Sequence, residues 1–474
     1  MTVELPEGFG LALDPSLLRF REGTVLAGGR PGRVITLTPA GASALDAFVA
    51  GGLPDRSTRV LAGRLVASGM AHPRRPRGNG PSANPAAPRS VTVVVPARDR
   101  VDALGRCLAS LGHGHPIVVV DDASADAGAV AAVGRAHGAR TVRRAVNGGP
   151  GAARTTACEV VDSELVAFVD SDCTVPDGWL DDLTWLFCDP AIGAVAPRVR
   201  PADPTGAGRR VLDRYAGAHS PLDLGADEGE VGPDRAVRYV PTAALVVRRA
   251  ALDAVGGFAP GMRVGEDVDL VWRLVGSGWR VRYVPSVTVS HAEPDRWTAA
   301  LARRFTYGTS AAPLARRHPG RLAPVELRPR PLLAALALLA GRPVLAAGIV
   351  ATSAVPLARR VRPLGIPARQ AWRWSAGGAG WTVVGLGRAT TMLGWPGLLA
   401  LAAAGRRGRV AATALAVVPP TVDWLRKRPD LDLPRWMVAS VADDVAYGLG
   451  VWTGCLRERT LGPLLPTLRG DRQS

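Results

Sequence analysis

The stretch from Val166 to Cys173, which reads VAFVDSDC, constrains the fold of this chain more than any other. Its first four residues are apolar and predict a buried strand. Asp170 and Asp172 follow at once, and carboxylates at that spacing lie on one side of the strand's carboxyl end, where open α/β sheets bind ligands. Two like charges held together favour a cation between them, such as a hard divalent ion that also holds a diphosphate. For this stretch alone, a solvated aspartate-rich turn is the alternative.

Two earlier strands also end in acids. Strands and helices alternate from Ser90 onwards, and that alternation is typical of a parallel sheet. The strand 91–95 is followed by Pro96-Ala97-Arg98-Asp99, and the strand 117–120 is followed by Asp121-Asp122. Because the carboxyl ends of parallel strands meet at one edge, the sequence predicts that acids from three strands line one ligand site.

A glycine-rich turn precedes the strand that ends in Asp170. Residues 147–151 read NGGPG, and Pro150 begins a helix that carries Arg154. Glycine lets a ligand approach the backbone closely, and the free amide groups of a first helical turn favour an anion. We expect the first turn of this helix and Arg154 to favour an anion, and the alternative is an ordinary surface loop.

A second acidic motif and a histidine follow later in this region. Glu266 and Asp267 precede an apolar helix, whose N-terminus is expected to lower the pKa of a carboxylate; an acidic helix cap is the alternative. Residues 238–247 predict a strand pair that contains Thr242. A strand over 279–289 is followed by His291, which is either a metal ligand or a packed core residue.

Together these motifs, which cover roughly residues 91–308, resemble the family 2 glycosyltransferases of the nucleotide-diphospho-sugar transferase (GT-A) fold. The resemblance implies an α/β catalytic domain and a metal-dependent, inverting hexosyltransferase. Its donor would be a UDP-sugar, with UDP-glucose as the first choice, and its cofactor Mg²⁺ or Mn²⁺. One departure is that the segment 303–308 lacks the Trp of the Q/R-x-x-R-W motif of processive synthases, which argues against an extruding polysaccharide synthase.

The same resemblance assigns roles to individual residues. It implies that Asp267 is the general base, with Glu266 beside it as a second catalytic residue, and that Asp172 and His291 bind the metal. The residues expected to bind the nucleotide-sugar are Pro96, Arg98, Asp99, Asp121, Asp122, Gly149, Arg154, Asp170 and Asp172. The residues expected near the acceptor are Thr242, Trp272, Arg303 and Arg304.

The first 75 residues have a pattern of their own, with short strands followed by helices, which predicts a small winged-helix-like module. Strands are expected at 20–27 and 33–37, and helices at 40–50 and 59–68. The segment resembles peptide-binding modules of the PqqD type, which implies a precursor peptide or a pathway protein as partner; a packing subdomain is the alternative. A Pro- and Gly-rich linker is expected at 76–89, followed by the catalytic domain over 90–325.

The remaining region, 326–474, predicts apolar helices that associate with a membrane. The runs 332–355 and 381–404 are long enough to cross one, but each contains an arginine, which costs about 2.5–3.5 kcal/mol at the centre of a span. Arginine pairs flank these runs, as anionic headgroups favour. We expect a cell-membrane location with the catalytic domain on the cytoplasmic side, and a helical bundle packed against that domain is the alternative.

The formal net charge of +17 does not by itself indicate a nucleic-acid partner. All but one of the Lys and Arg residues are arginine, and no groove of basic and aromatic residues stands out, so no nucleic acid is expected to bind.

The order of the predicted domains resembles the mycofactocin-system glycosyltransferases, which implies β-linked glucosylation of a peptide-derived redox cofactor. The alternatives are a cell-envelope glycosyltransferase with a lipid-linked or polysaccharide acceptor, and a non-enzymatic peptide-binding scaffold.

Overall fold

The computed structural model describes residues 4–29, 32–75, 90–202 and 210–468. The chain divides into two compact units, the first comprising Met1–Asp203 with Ser220–Ala292 and the second Pro204–His219 with Glu293–Ser474. The first unit contains the N-terminal module and the strands with acidic ends, and the second contains the C-terminal helices. The linker predicted at 76–89 lies outside the described residues, and the predicted domain boundaries remain predictions.

The N-terminal part of the first unit contains both predicted helices and a strand close to the one predicted at 33–37. The strand predicted at 20–27 is interrupted by a turn at 21–24 and is two strands. Its elements are β1 (Gly10–Leu13), β2 (Leu18–Phe20), β3 (Val25–Gly28), β4 (Arg33–Thr36), α1 (Pro39–Val49), α2 (Arg59–Ala67) and β5 (Ala71–Arg74). Strands β2, β3 and β4 pair antiparallel, as do β1 and β5. Thr38 caps α1, because its hydroxyl oxygen accepts a hydrogen bond from the Gly41 amide at 3.1 Å. Phe9, Leu26 and Leu45 are buried between these elements.

The rest of the first unit is built on one mixed sheet. Its strands are β6 (Val91–Ala97), β7 (Ile117–Asp121), β8 (Arg140–Arg143), β9 (Leu165–Val169), β10 (Cys173–Thr174), β11 (Ile192–Pro201), β12 (Gly229–Glu230), β13 (Ala244–Arg248) and β14 (Arg280–His291). The order across the sheet is β10-β14-β11-β13-β9-β6-β7-β8, with β12 beside β14. Strands β9, β6, β7 and β8 run parallel, and the first three are buried almost throughout, as expected for strands covered on both faces. The predicted α/β class is confirmed.

The helices of this sheet region agree with the prediction in order, but two details were wrong. They are α3 (Val101–Leu111), α4 (Ala127–Ala136), α5 (Pro150–Cys158), α6 (Trp179–Thr184), α8 (Arg249–Ala254) and α9 (Glu266–Gly276), while α7 (Val211–His219) belongs to the second unit. Helix α9 begins at Glu266. Glu266 and Asp267, which were predicted to precede this helix, therefore form its first turn. The strand pair predicted over 238–247 is one strand, β13, because Pro241 has no amide hydrogen for a ladder bond and residues before Ala244 form a turn.

The second unit is helical. Besides α7 its elements are α10 (Trp297–Thr309), α11 (Ala311–Arg317), β15 (Glu326–Leu327), α12 (Pro329–Leu339), α13 (Pro343–Val361), α14 (Ala368–Met392), α15 (Trp395–Ala403), α16 (Arg406–Lys427), α17 (Leu433–Glu458) and β16 (Thr467–Leu468). The backbones of α10 and α17 are in close contact at Gly450. A Cβ atom at this position would lie only 2.0 Å from the Phe305 carbonyl oxygen, so a larger residue would not fit there. The predicted helical C-terminal region is thus confirmed.

Neither long apolar run of this unit is one continuous helix. The run 332–355 is divided at Gly341, which has φ +69° and separates α12 from α13, and the run 381–404 is divided at Gly394 before α15. Both following helices begin with Pro at or next to their first position, which suits a helix start and not an interior. Within the described residues one helical stretch, Pro343–Leu364, is long and apolar enough to cross a membrane, judged by length and composition alone.

Candidate active site

Strand pairing brings the predicted acids to one edge of the sheet. Val94 lies opposite Phe168 between β6 and β9, and Ala97 lies opposite Asp121 between β6 and β7. Asp99, Asp121 and Asp170 therefore end or follow three neighbouring parallel strands. This is the edge at which open α/β sheets hold their ligands.

Asp99 and Asp121 shape the loops that follow β6 and β7. Asp99 has φ +56°, an uncommon conformation for a residue other than glycine, and its Oδ1 accepts from the Ala125 amide at 2.9 Å. The buried carboxylate of Asp121 accepts from the Ser124 amide at 2.8 Å and from the Arg143 guanidinium. Of the other residues predicted here, Pro96 is buried within β6 and Arg98 is exposed. Strained loop conformations of this kind are common at ligand sites.

The buried side chain of Asp122 holds the glycine-rich turn in place. Its Oδ1 accepts from the Gly148 amide at 3.0 Å and from Arg144 Nε at 2.9 Å, and its Oδ2 accepts from the Gly149 amide at 2.7 Å. Gly149 has φ +87°, a conformation that favours glycine. Both carboxylate oxygens are thus engaged by protein donors, so a role for Asp122 in ligand binding would act through the turn.

Replacing Asp122 with asparagine should lower the free energy of unfolding by about 1.5–3 kcal/mol, because an amide keeps one acceptor oxygen but presents an N–H group to donors. Urea unfolding followed by fluorescence measures the change. The control is Asp177→Asn, since Asp177 is an exposed aspartate of the same unit. Equal stability of the Asp122 and Asp177 variants would contradict the role of Asp122 in holding the turn.

Arg154 joins the two acidic motifs at the centre of the site. It lies on α5, is 1% exposed, and donates from Nη1 to Glu266 Oε1 at 2.9 Å and from Nη2 to Asp170 Oδ1 at 2.5 Å. Burial raises the pKa of Asp170 and of Glu266, and the charge of Arg154 opposes that rise in both. One cation therefore compensates two carboxylates that are 96 residues apart in sequence, and a contact between Arg154 and the nucleotide-sugar remains a prediction.

Asp172 and His291 meet because of the strand register. Cys173 on β10 lies opposite His291 on β14, and the Ala292 amide donates to the Asp172 carbonyl oxygen at 2.9 Å. His291 Nε2 is consequently 3.5 Å from Asp172 Oδ1, while Arg100 Nη1 is 2.9 Å from Asp172 Oδ2. In the described part of the chain, no group of three or more His, Cys, Asp or Glu side chains is arranged to hold a metal.

Asp267 lies in the first turn of α9 and is partly buried. Its Oδ1 accepts from the Val268 amide at 2.8 Å. Burial, and then the neighbouring charge of Glu266, raise the pKa of Asp267 to about 7. The lowered pKa expected from the helix N-terminus was therefore wrong, since desolvation outweighs the dipole here. A carboxylate with a pKa near neutrality suits a general base.

The residues predicted to contact an acceptor fall in different units. In the first unit Thr242 is buried in the turn before β13, and Trp272 is buried in α9 with its indole N–H donating to the Arg238 carbonyl oxygen at 2.8 Å. In the second unit Arg303 pairs with Glu293, and Arg304 Nε is 2.8 Å from Asp443 Oδ1. All four side chains have packing or ion-pair roles, and their acceptor roles remain predictions.

Three arginines of this edge were missed by the sequence prediction, and one of them, Arg143 at the end of β8, contacts Asp121. Arg144 follows β8 and contacts Asp122, and Arg100 reaches Asp172 from the start of α3. The signal for Arg144 was present, because Arg143-Arg144 ends the fourth parallel strand just as acids end the other three. Nothing in the local sequence distinguishes Arg100 from its exposed neighbour Arg98.

The chain matches the family described as "Glycosyltransferase like family 2" over residues 88–307. Among solved structures, a mannosyltransferase from Pyrobaculum calidifontis in complex with GDP-Man and Mn²⁺ is 20% identical, with a TM-score of 0.42 over 78% of this chain and 91% of that one. The succinoglycan biosynthesis protein ExoU of Rhizobium meliloti is 33% identical over 42% of this chain and 61% of its own length.

Other relatives match the chain almost from end to end. The pre-mycofactocin glycosyltransferases of two Mycobacterium tuberculosis strains are each 37% identical over 485 aligned residues, which is 98% of this chain and 99% of theirs. The match includes the N-terminal module and the C-terminal helices, which lie outside residues 88–307. The chain is therefore a glycosyltransferase that belongs to the pre-mycofactocin glycosyltransferase family, with a catalytic region of the family 2 type.

Proposed function

We propose that this protein transfers a hexose, with inversion, from a UDP-sugar to a mycofactocin precursor, and that the donor is UDP-glucose. The observation that carries the acceptor proposal is the 37% identity over 98% of the chain, which does not stop at the end of the catalytic region. The match to the succinoglycan biosynthesis protein ExoU, by contrast, covers 42% of the chain. The product would carry a β-linked sugar.

A divalent cation fits the residues at the sheet edge. Asp172 and His291 offer one carboxylate and one imidazole within 3.5 Å of each other, and diphosphate oxygens would complete the coordination. The ion pair between Arg100 and Asp172 indicates that this carboxylate attracts positive charge. We propose Mg²⁺ or Mn²⁺ as cofactor, which when bound would stabilise the negative charge that develops on the departing UDP.

The protein's own residues account for the other needs of the reaction. Asp99 and Asp121 would bind the nucleoside, and the turn held by Asp122 would lie along the diphosphate. Asp267 would accept the proton of the acceptor hydroxyl on Oδ2, because its Oδ1 already accepts from the Val268 amide. The hydroxyl oxygen then bonds to the anomeric carbon from the face opposite UDP, and UDP leaves with the electron pair of the broken bond. One displacement of this kind inverts the configuration.

The pKa of Asp267 predicts the pH dependence of the reaction. A base must be deprotonated to act, so kcat/KM for transfer should rise with pH, reach half its maximum near pH 7 and level off above it. A carboxylate with the ordinary aspartate pKa of about 3.9 would instead leave the rate flat between pH 5.5 and 9. UDP release measured across that range separates the two, and a flat profile would contradict the raised pKa.

Arg100 should compete with the metal for Asp172. Removing its charge in Arg100→Gln is expected to tighten Mn²⁺ binding to the donor-free protein about two- to fivefold, the range set by an exposed ion pair. Titration calorimetry measures the change in affinity. The control is Arg106→Gln, because Arg106 is an exposed arginine of α3, the helix that directly follows Arg100. Unchanged or weaker Mn²⁺ binding in the Arg100 variant would contradict this competition.

The other two parts of the chain suggest further proposals. The N-terminal module would bind a precursor peptide or a pathway protein. The C-terminal helices would attach the protein to the cell membrane, with the catalytic region on the cytoplasmic side, where nucleotide-sugars are made. The exposed apolar side chains of these helices also suit a cell-envelope enzyme with a lipid-linked acceptor, and this is the second candidate function.

The experiment that tests the proposed function is UDP release by the purified protein from a panel of nucleotide-sugars. Each donor is supplied with Mn²⁺, Mg²⁺ or EDTA, with and without a mycofactocin-type acceptor. We expect metal-dependent release from UDP-glucose that the acceptor stimulates. Stimulation only by a lipid extract would favour the cell-envelope function, and no release from any donor would favour a peptide-binding scaffold.

A further inference from the structure

The helices α12 to α16 carry most of the charge of the protein. Residues 329–428 contain thirteen arginines, one lysine and a single acidic residue, Asp423, and so hold +13 of the formal net charge of +17. All fourteen basic side chains are exposed, whereas Asp423 is largely buried and pairs with Arg388. We call these helices the basic helical surface. A net charge concentrated in this way attracts a polyanion or an anionic surface.

The same surface exposes large apolar side chains, which a purely solvated basic face would not. Four tryptophans, Trp372, Trp374, Trp381 and Trp395, are 41%, 37%, 53% and 41% exposed. Leucine and valine side chains lie exposed beside them, with Val344 at 86% and Leu399 at 61%. Exposed apolar groups mixed with cations are costly in water but match the boundary between headgroups and acyl chains.

A groove opens in this surface between α12, α13 and α14. It has a volume of about 500 Å³. Its lining includes the apolar residues Ala334, Ile349 and Leu357, the indole ring of Trp381, and the charged residues Glu326, Arg328 and Arg330. The apolar lining suits the acyl chain of a phospholipid. The arginines and the indole ring suit its anionic phosphate and the headgroup region.

Most of these helices are too short or too charged to be spans. Helix α13 alone has the length and apolar composition of a span, but Pro356 lies inside it and Arg359 and Arg360 lie in its last turn. Helix α12 has 11 residues and α15 has nine, both well short of the roughly 20 that a crossing needs. Helix α14 is longer but has Arg373 and Arg388 exposed along it, and α16 has three arginines in its first turn. A basic helix with exposed apolar residues is expected to lie along the membrane surface instead of crossing it.

We propose that the basic helical surface docks on an anionic phospholipid bilayer, lying in its headgroup region without crossing it. Charge complementarity selects this occupant: the fourteen basic side chains of these helices are exposed, as are four of their indole rings, and anionic leaflets attract basic side chains near their surface. The proposal concerns a different part of the chain from the catalytic site. Its test is therefore independent of the transfer reaction. It rests on the membrane attachment proposed above and specifies the lipid class and the mode of that attachment.

The test is flotation of the full-length protein with vesicles. Vesicles of phosphatidylcholine alone are compared with vesicles that also contain phosphatidylglycerol, at low and at high salt. The expected result is binding only to the anionic vesicles, with loss of binding at about 1 M salt, where the Debye length falls to about 3 Å. Binding that withstands both high salt and alkaline carbonate would instead indicate a membrane span and overturn the proposal.

Two matched variants make the test specific. Replacing Arg359, Arg360, Arg406 and Arg407 with glutamine should weaken binding to the anionic vesicles at least about tenfold, since each basic residue near such a surface contributes. The control replaces four exposed arginines of the first unit, Arg33, Arg64, Arg106 and Arg135, with glutamine. Equal loss in both variants, or no loss in the first, would overturn the assignment to this surface.

The remaining outcomes are also decisive. UDP release measured without vesicles should be the same in both variants and the native protein, so that a folding defect is detected separately. Failure of UDP release in the native protein would count against the proposed function and not against the docking surface. Tight binding to a random-sequence RNA, together with no binding to the anionic vesicles, would assign the surface to nucleic acid and overturn the proposal.

Discussion

Replacing Asp267 with asparagine is expected to lower the turnover of sugar transfer about 10²–10⁴-fold while binding of UDP is retained. Asparagine has nearly the same shape and can still accept from the Val268 amide, but it cannot take the proton of the acceptor hydroxyl. The rise in rate near pH 7 should vanish together with the base. Steady-state UDP release and calorimetric UDP binding measure the two effects.

The control for this variant is Asp102→Asn. Asp102 also lies in the first turn of a helix, α3, but it is exposed. Its replacement should leave turnover unchanged, so that a loss confined to the Asp267 variant cannot be assigned to a weakened helix N-terminus. Turnover of the Asp267 variant close to that of the native protein would show that another group takes the proton.

Replacing Arg154 with methionine is expected to lower the free energy of unfolding by about 3–5 kcal/mol, the cost of breaking a buried ion pair from one side. Methionine keeps an apolar chain in the space but leaves Glu266 and Asp170 without their shared cation. Removing one partner of such a pair leaves an uncompensated buried charge, which costs far more than the loss of an exposed pair. Urea unfolding of the purified protein measures the change.

Two further variants locate the cause of that loss. Arg135→Met removes an exposed arginine of α4 and should change the stability by about 0.5 kcal/mol or less. Adding Glu266→Gln to Arg154→Met should restore part of the lost stability, because one of the two uncompensated carboxylates is then neutral. If the double variant were less stable than Arg154→Met alone, the shared-cation account of this site would be wrong.

The sheet and its acidic edge were predictable because the signals are local. The apolar runs of four and five residues that stop before Asp121 and Asp170 define both a buried strand and the point at which it ends. The parallel order then brings those ends together without further information. The position of His291 beside Asp172 was implied by the family resemblance, and the register of β10 and β14 brings the two side chains within 3.5 Å.

What sequence reasoning could not supply depends on contacts between distant residues. Arg154 contacts Glu266, which is 112 positions away, and nothing in the local sequence around the arginine indicates that carboxylate partner. The pKa of Asp267 is another case, since the helix N-terminus is visible in the sequence but the burial that outweighs it is not. The apolar runs of the C-terminal region were predicted to be possible membrane spans from their length. The structure divides each run into two helices, at Gly341 and at Gly394.

The central claim is most directly tested by the product formed from UDP-glucose and a mycofactocin-type acceptor in the presence of Mn²⁺. Mass spectrometry reports whether the acceptor gains a hexose, and the proton coupling at the anomeric carbon reports its configuration. The account predicts an acceptor that carries one or more glucose units in the β configuration. UDP released with no change in the acceptor's mass, or a product linked in the α configuration, would contradict it.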